Sequence, residues 1–460
     1  MRDLQAVVDL LYSLFRRDVL VFFPGAEFET VGDEKSRGYR FEDGPNFSVV
    51  EQPEWNRLEI GFFGSRHRIH PRPGTSFRDH DRRMIEAIGA VLSMRYNQTF
   101  QLNSTARLEI YRGGVEDHYV AAFIDPASYH STVLRPSRIA SVIETLRTAA
   151  LSTYENHRVS TGVLLLGSLE DSERSRRVAP PDALFYGVEL SILKSMHRLC
   201  DGKRTLFLVD QAGLLVDIID IEKFSSDLLD PCPLLGPIPC AGAYKAHAKA
   251  TLAGGHVCAV LSPNQEIKLF YGGAQAFAFN HGRWRILDPR SKYAVWEGMV
   301  KAPALARALF QAALDLAESR KGGLFVVVND PAAARGRLID EHDLLAEVAG
   351  DSPIEVTPFD PLAKRALHYL ARGRFATELD SSVLEALAGI DGALATDPRG
   401  RILAFGAILR HDAAALDGRI VAEGARTTAA LVASRFGPVL KVSEDGVVSC
   451  FQNGARVWDY

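Results

Sequence analysis

Apolar residues recur at helical spacing over residues 4–16, where Leu4, Val7, Val8, Leu11, Leu14 and Phe15 share one face, so the pattern predicts an N-terminal helix. Alternation then takes over in short pieces at Val19–Phe23, Phe47–Val50 and Leu58–Phe63, set apart by Pro, Gly and Asp, which predicts strands of a small sheet. Thr75-Ser76 next caps a helix with acidic residues in its first turn and a buried stripe of Met84, Ile85, Ile88, Val91 and Leu92, running to Tyr96. Between residues 105 and 175, strand-like pieces (Ala106–Tyr111, Tyr119–Ile124, Thr161–Leu166) alternate with a helix near Ser137–Ala150. The charged run Leu169–Pro181 ends in Pro-Pro and predicts a linker or exposed loop, followed by a helix near Leu184–Cys200.

A further pattern begins at Lys301-Ala302-Pro303. Leu305, Ala308, Leu309, Ala312 and Leu316 predict a helix, Gly322-Gly323 end it, and the apolar run Leu324–Val328 predicts a buried strand. After a looser stretch at Asp330–Ile354, helices are expected near Leu362–Leu370 and Ser381–Leu387. Asp391–Asp397 and Arg401–Leu409 form a hairpin around Asp397-Pro398-Arg399-Gly400. Residues 426–435 predict a helix; Val439–Val442, Val447–Phe451 and Arg456–Trp458 predict strands, the last two joined by Asn453-Gly454.

This layout has an echo. Leu206–Asp217 parallels Ala393–Ala404, Ala246–Ala250 parallels the helix at Arg426, and Val257–Phe279 parallels Val439–Trp458, with Ser262-Pro263-Asn264-Gln265-Glu266 at the turn. Residues 185–295 therefore read as a diverged copy of the C-terminal fold, lacking Asp-Gly-Ala and carrying Pro263-Asn264 in place of Glu444-Asp445. The expected class is α/β in three parts: a small α+β domain over 1–100, a region over 101–300 containing the copy, and a unit of helices and strands over 301–460.

At 460 residues the chain is too long for one core. A net charge of −4 gives no polybasic footprint for nucleic acid. No apolar run reaches the roughly 18–20 residues of a membrane span, and the acidic start is unlike a signal peptide. Five scattered cysteines (Cys200, Cys232, Cys240, Cys258, Cys450) suit reduced thiols and a cytoplasmic protein. With His247 and His256 they match no compact Cys/His metal spacing, Trp284 and Trp296 read as core anchors, and His67, His70 and His80 are expected on a polar surface.

The candidate chemistry lies near the C-terminus. Asp391-Gly392-Ala393 opens a strand, Gly424-Ala425-Arg426-Thr427-Thr428 opens a helix, and Ser443-Glu444-Asp445-Gly446 sits at a turn. Oxygen ligands for a divalent ion, a helix N-terminus and a cation are what a metal-assisted reaction on a nucleoside triphosphate requires.

In this ordered set of motifs, residues 303–460 resemble the diadenylate cyclase domain, which condenses two ATP into cyclic di-AMP and releases pyrophosphate. The resemblance implies a mixed sheet flanked by helices, an active site between two subunits and Mg²⁺ or Mn²⁺ as cofactor. It implies that Asp391 binds the metal and assists the 3′-hydroxyl, that Gly392 and Ala393 approach the nucleotide, that Gly424 and Arg426 face the phosphates, and that Ser443 and Glu444 lie near the triphosphate and metal. Where the family has Arg-His-Arg, this chain has Arg426-Thr427-Thr428; the two threonines keep hydroxyl donors but lose charge, and Lys441 or Arg435 could compensate. The segment from Phe77 to Tyr96 is similar to the C-terminal end of GAF-type sensor domains, implying regulation from the N-terminal part. The DNA-binding tail and the membrane spans of other family members find no residues here, so ATP and self-association are the expected partners, with neither nucleic acid nor membrane. A catalytically silent sensor of nucleotide or cyclic dinucleotide is the alternative, and an interaction scaffold built on the diverged copy a third.

Overall fold

The computed structural model describes residues 2–31, 47–52, 56–63, 65–73, 75–100, 108–130, 138–167, 182–191, 194–226, 240–345, 364–410 and 424–460. The expected linker at Leu169–Pro181, Cys232 and Leu362–Ala363 lie outside them. Contacts divide the chain into two compact units. One comprises residues 1–228, 250–272 and 276–286; the other comprises 229–249, 273–275 and 287–460.

The first unit opens with α1 (Arg2–Phe22). Val19–Phe23 was expected as a strand, but Leu11, Phe15 and Val19 are buried at i, i+4, i+8, so the helix runs on and stops only at Pro24-Gly25, where Gly25 has φ +85°. Four antiparallel strands follow: β1 (Glu27–Thr30), β2 (Phe47–Gln52), β3 (Arg57–Phe62) and β4 (Ser65–His70), in the order β1-β4-β3-β2. His67, expected on a polar surface, is instead buried on β4, its ring stacked 3.9 Å from that of Tyr12. Helix α2 (Asp79–Phe100) packs against this sheet and against α3 (Val115–Ile124).

Helix α3 contains Tyr119–Ile124, expected as a strand. Every residue from Asp117 to Ile124 is buried, and a fully enclosed helix has no polar face to reveal its period. Asp117 fixes its start: the buried carboxylate accepts the Gly114 N–H at 3.2 Å, Arg147 Nη1 at 2.6 Å and the Trp284 indole N–H at 2.7 Å. Helix α4 (Arg138–Ala150) leads into a seven-stranded mixed sheet: β5 (Thr161–Leu165), β6 (Thr205–Val209), β7 (Leu215–Asp220), β8 (Val257–Leu261), β9 (Ile267–Tyr271), β10 (Ala274–Asn280) and β11 (Arg283–Ile286), ordered β11-β10-β9-β8-β5-β6-β7.

Residues 229–249, between β7 and β8, group with the second unit, where α5 (Lys245–Ala250) begins. In that unit α6 (Pro289–Val300) is capped by Asp288, and a left-handed Lys301 (φ +59°) turns the chain into α7 (Pro303–Glu318). The Trp296 indole donates to the Ala306 carbonyl at 2.9 Å. The residues before α5 are held by α7: Asp315 accepts the Gly242 N–H at 2.6 Å, Gln311 donates to the Cys240 carbonyl at 2.8 Å, and Tyr244 donates to Glu318 at 3.0 Å. Burial raises the Asp315 carboxyl above its ordinary value, opposed by the Gly242 and Gln311 donors.

The second sheet has β12 (Gly323–Val327), β13 (Ala393–Thr396), β14 (Ile402–Ala407), β15 (Val439–Val442), β16 (Val448–Gln452) and β17 (Ala455–Asp459), ordered β14-β13-β12-β15-β16-β17. Helix α8 (Ser381–Ala388) joins α7 beside it, and α9 (Ala425–Ala433) packs through Ala430 and Ala433 on the face carrying Leu324, Val326 and Val439. The protein is thus mixed α/β, with two mixed sheets flanked by helices.

Six strands of the first sheet match the second in order. In each, the first two strands in chain order pair in parallel, β5 with β6 and β12 with β13. Both sheets are antiparallel at β5–β8 and β12–β15, at β8–β9 and β15–β16, and at β6–β7 and β13–β14. The matching set starts with α4 and β5, upstream of the expected residue 185. Thr161 opposes Leu261 as Gly323 opposes Val442, so the Ser262–Glu266 turn stands where Ser443–Val447 stands, with Pro263 at the position of Glu444. Val163 opposes Phe207 as Phe325 opposes Leu394, which puts Arg204 at the position of Asp391.

Candidate functional site

Three elements of the second unit converge at one end of its sheet. The first is the entry to β13. Gly392 has φ +122°, and a Cβ there would overlap the backbone of Gly406 and Ala407, so glycine is required by the close approach of β14. This places Asp391 just outside the sheet with its side chain 93% exposed, while Ala393 is buried inside it.

The second element is the start of α9. Gly424 occupies the N-cap with open space around its Cα, and its carbonyl accepts the N–H of Thr427 at 2.9 Å and of Thr428 at 3.3 Å. Arg426, in the first turn, extends over Gly322, where a Cβ would collide with the guanidinium. The third is the turn between β15 and β16. Ser443 N–H donates to Val447 O and Gly446 N–H to Ser443 O, both at 2.9 Å, with Gly446 at φ +84°. The Ser443 hydroxyl donates to Asp445, whose carbonyl accepts from Arg320. Burial acts to raise the Asp445 carboxyl, but the Ser443 hydroxyl, the Val447 N–H and the Lys441 charge together hold it below the usual carboxylate value. Ser443 and Asp445 thus shape the turn, and Glu444 projects from its tip.

The guanidinium of Arg426 joins the three elements. Nη1 donates to Glu444 Oε1 at 3.0 Å and Nη2 to Asp391 Oδ1 at 3.4 Å, so both carboxylates lie on one cation. Glu444 is 73% exposed, and the guanidinium itself is reachable at 39%. Thr428 is half-buried, whereas Thr427 is only 4% exposed and its hydroxyl accepts from Lys441 Nζ at 2.9 Å. Of the two cations considered as compensators, Lys441 stands at this end of α9; Arg435 follows its last turn, about 13 Å along the axis.

Among the described residues, no group of three or more His, Cys, Asp or Glu side chains is placed to hold a metal. The donors present are two exposed carboxylates, which suit Mg²⁺ or Mn²⁺ bound in the manner where phosphates and water complete the shell, and do not make an all-protein cage. Cys200, Cys240, Cys258 and Cys450 are free and buried; burial pushes the Cys240 thiol up to about 11 and Cys200 to about 12. No thiolate chemistry follows.

Sequence reasoning did not single out Gly322 or Arg320. Gly322 was read as a helix stop, and nothing in a Gly-Gly pair tells that it also receives a guanidinium. Lys441 did carry a signal, being the one charged residue in the otherwise apolar Val439–Val442.

No family model matches the chain, and no curated protein matches it. Ten solved chains match, among them one described as the hypothetical membrane spanning protein from Bacillus cereus, 21% identical, with a TM-score of 0.22. The match covers 32% of this chain and 59% of that one, less than two thirds of its length, and at that score carries no argument. Among the described residues of this chain, no helix is long and apolar enough to cross a membrane.

Proposed function

We propose that the second unit is a diadenylate cyclase, forming cyclic di-AMP from two ATP under the control of the residues before it, which begin with a GAF-like sensor. One observation carries this reading: Asp391 and Glu444, from separate elements, meet at the Arg426 guanidinium beside the N-terminus of α9. Two acids, a cation and a helix N-terminus are the complement of a metal-bound triphosphate.

Without nucleotide, Arg426 neutralises the two acids. When nucleotide enters, Arg426 passes to the phosphates, Asp391 and Glu444 are released, and Asp391 orients the 3′-hydroxyl of the facing nucleotide. Asp391 and Glu444 would hold Mg²⁺ or Mn²⁺, which would supply neutralisation of the charge developing on the phosphates. The hydroxyl oxygen bonds to the α-phosphorus, the bond to pyrophosphate breaks, and the hydroxyl proton leaves to solvent. Repeating the step on the second nucleotide closes the ring, so two sites must face each other and the chain must self-associate.

The burial of Thr427 favours a second reading. Arg426 and Thr428, but not Thr427, are reachable from solvent in the first turn of α9, so the phosphate site has fewer donors than the motif suggests. A catalytically silent module would bind ATP or a cyclic dinucleotide without turnover. Incubating the purified chain with ATP and Mg²⁺ or Mn²⁺ and identifying products by mass separates the two. Cyclic di-AMP supports the cyclase, ATP binding without product supports the silent module, and neither binding nor product overturns both.

A further inference from the structure

Between α2 and the end of α3, within the first unit, lies a cavity of about 450 Å³, a size that takes a small ligand. We infer that it binds an aromatic carboxylate through the guanidinium of Arg83. This site does not depend on what the second unit binds. Ala87 and Ala90 of α2 and Phe123 of α3 are buried and give the cavity an apolar wall.

The charged side chains on the cavity are unequal. Arg82 Nη1 faces Glu86 Oε1 at 3.6 Å, and His80 faces Asp81 at 3.0 Å. Arg83, half-buried, has no such acid. Its guanidinium lies over the Phe123 ring, 4.8 Å from the centroid, and over the Tyr271 ring of β9 at 5.4 Å. Nη2 donates to the Ile124 carbonyl and to the Tyr271 hydroxyl, each at 3.4 Å. All these partners are neutral, and among the described residues no carboxylate pairs with Arg83. Burial penalises a charge that no opposite charge meets. The rings cover the faces of the guanidinium, and Nε and Nη1 remain at its edge for an anion. Asp79 and Glu86 stand on the same cavity, so a dianion such as phosphate meets repulsion there. A carboxylate brings a single charge, and the apolar wall receives the ring attached to it.

The test uses the full chain, with cinnamate as the probe and its neutral amide, cinnamamide, and inorganic phosphate as controls. Calorimetric titration is expected to show binding of cinnamate, binding of cinnamamide weaker by about tenfold or more, and no measurable binding of phosphate. Arg83→Gln keeps donors for Ile124 and Tyr271 without the charge. It is expected to weaken cinnamate by about 10- to 100-fold and to leave cinnamamide nearly unchanged. A purely structural Arg83 would weaken both alike, and that result overturns the inference. Equal wild-type affinity for acid and amide, or no binding of cinnamate, overturns it as well. Hydrogen exchange of the wild-type chain with and without cinnamate places the site. Slowed amides are expected at residues 83–90 and 122–124, and protection confined to other residues overturns the assignment. Binding of ATP, measured separately, is unaffected by any of these outcomes.

Discussion

Arg426 Nη1 donates to Glu444 Oε1 at 3.0 Å, from the first turn of one helix to the tip of a turn between two strands. Asp391 shares the same guanidinium, so the cation occupies the space between the two acids that the proposed reading gives to a divalent ion. Arg426→Met is expected to raise Mn²⁺ affinity in the absence of nucleotide by roughly two- to thirtyfold, since two exposed ion pairs contribute about 0.2–1 kcal/mol each. Titration followed by electron paramagnetic resonance of free Mn²⁺ reads this directly. Equal or weaker affinity in the variant shows that the guanidinium does not compete.

Asp391 projects into solvent, its side chain 93% exposed and touched by the half-exposed Arg426. Asp391→Asn should therefore change unfolding free energy by no more than about 0.5 kcal/mol while abolishing cyclic di-AMP formation. Full product formation by a folded Asp391→Asn protein refutes the assignment.

Gly322 and Gly392 give opposite expectations. A methyl at Gly322 first meets the far end of Arg426, which can swing away, so Gly322→Ala should cost little stability and reproduce the metal-binding gain of Arg426→Met. A methyl at Gly392 meets the Gly406–Ala407 backbone at a φ of +122°, and Gly392→Ala should cost about 2–4 kcal/mol. Chemical denaturation of both variants checks the contrast.

Asp117 serves three donors in the buried heart of the first unit. Asp117→Ala leaves the Arg147 guanidinium without its partner and should cost about 3–5 kcal/mol. Trp284→Phe removes one donor and should cost about 1–3 kcal/mol. The double variant should fall short of the sum, as expected for residues in direct contact. Additive losses in denaturant titrations would argue against coupling through the carboxylate.

His67 supplies a pH dependence. Burial against Tyr12 lowers its pKa from 6.5 to about 4, so between these values the unfolded chain binds a proton that the folded one refuses. Stability should be full above pH 6.5 and decline as pH falls from 6.5 towards 4, by at most roughly 3 kcal/mol. His67→Phe keeps a ring for Tyr12 and should flatten the melting temperature over that window. An unchanged slope in the variant assigns the acid sensitivity to other groups.

Much of the second unit was legible because its elements are short and well punctuated. Pro303 opened α7 and Asn453-Gly454 marked the last hairpin, whereas α7 stops at Glu318, with Arg320 left-handed at φ +55°, ahead of the expected Gly322-Gly323, whose second glycine already begins β12. The echo between the two halves was legible as strand-turn-strand phrases, and the matching strand order extends it back to Thr161. Misreadings came where burial erases period: enclosure on all sides made α3 look like a strand, and Val19–Phe22 is the continuation of a helix whose stripe had already been set by Leu11 and Phe15. At the site, the motifs named Asp391, Arg426 and Glu444, which do converge. That Thr427 turns inward to Lys441, and that Ser443 and Asp445 stabilise a turn, depends on contacts between strands distant in sequence.

The way α7 holds residues 240–244 bears on how the catalytic-like half can be isolated. A fragment starting at Ala302 would follow the obvious seam in the sequence, yet it would strip the Gly242 amide from Asp315 and the Tyr244 hydroxyl from Glu318. Two acids on one helix would each lose a donor, on the same helix whose end meets the Glu444 turn through Arg320. Activity lost by such a fragment would therefore say nothing about a missing regulator, and a fair dissection keeps the stretch around Gly242 attached.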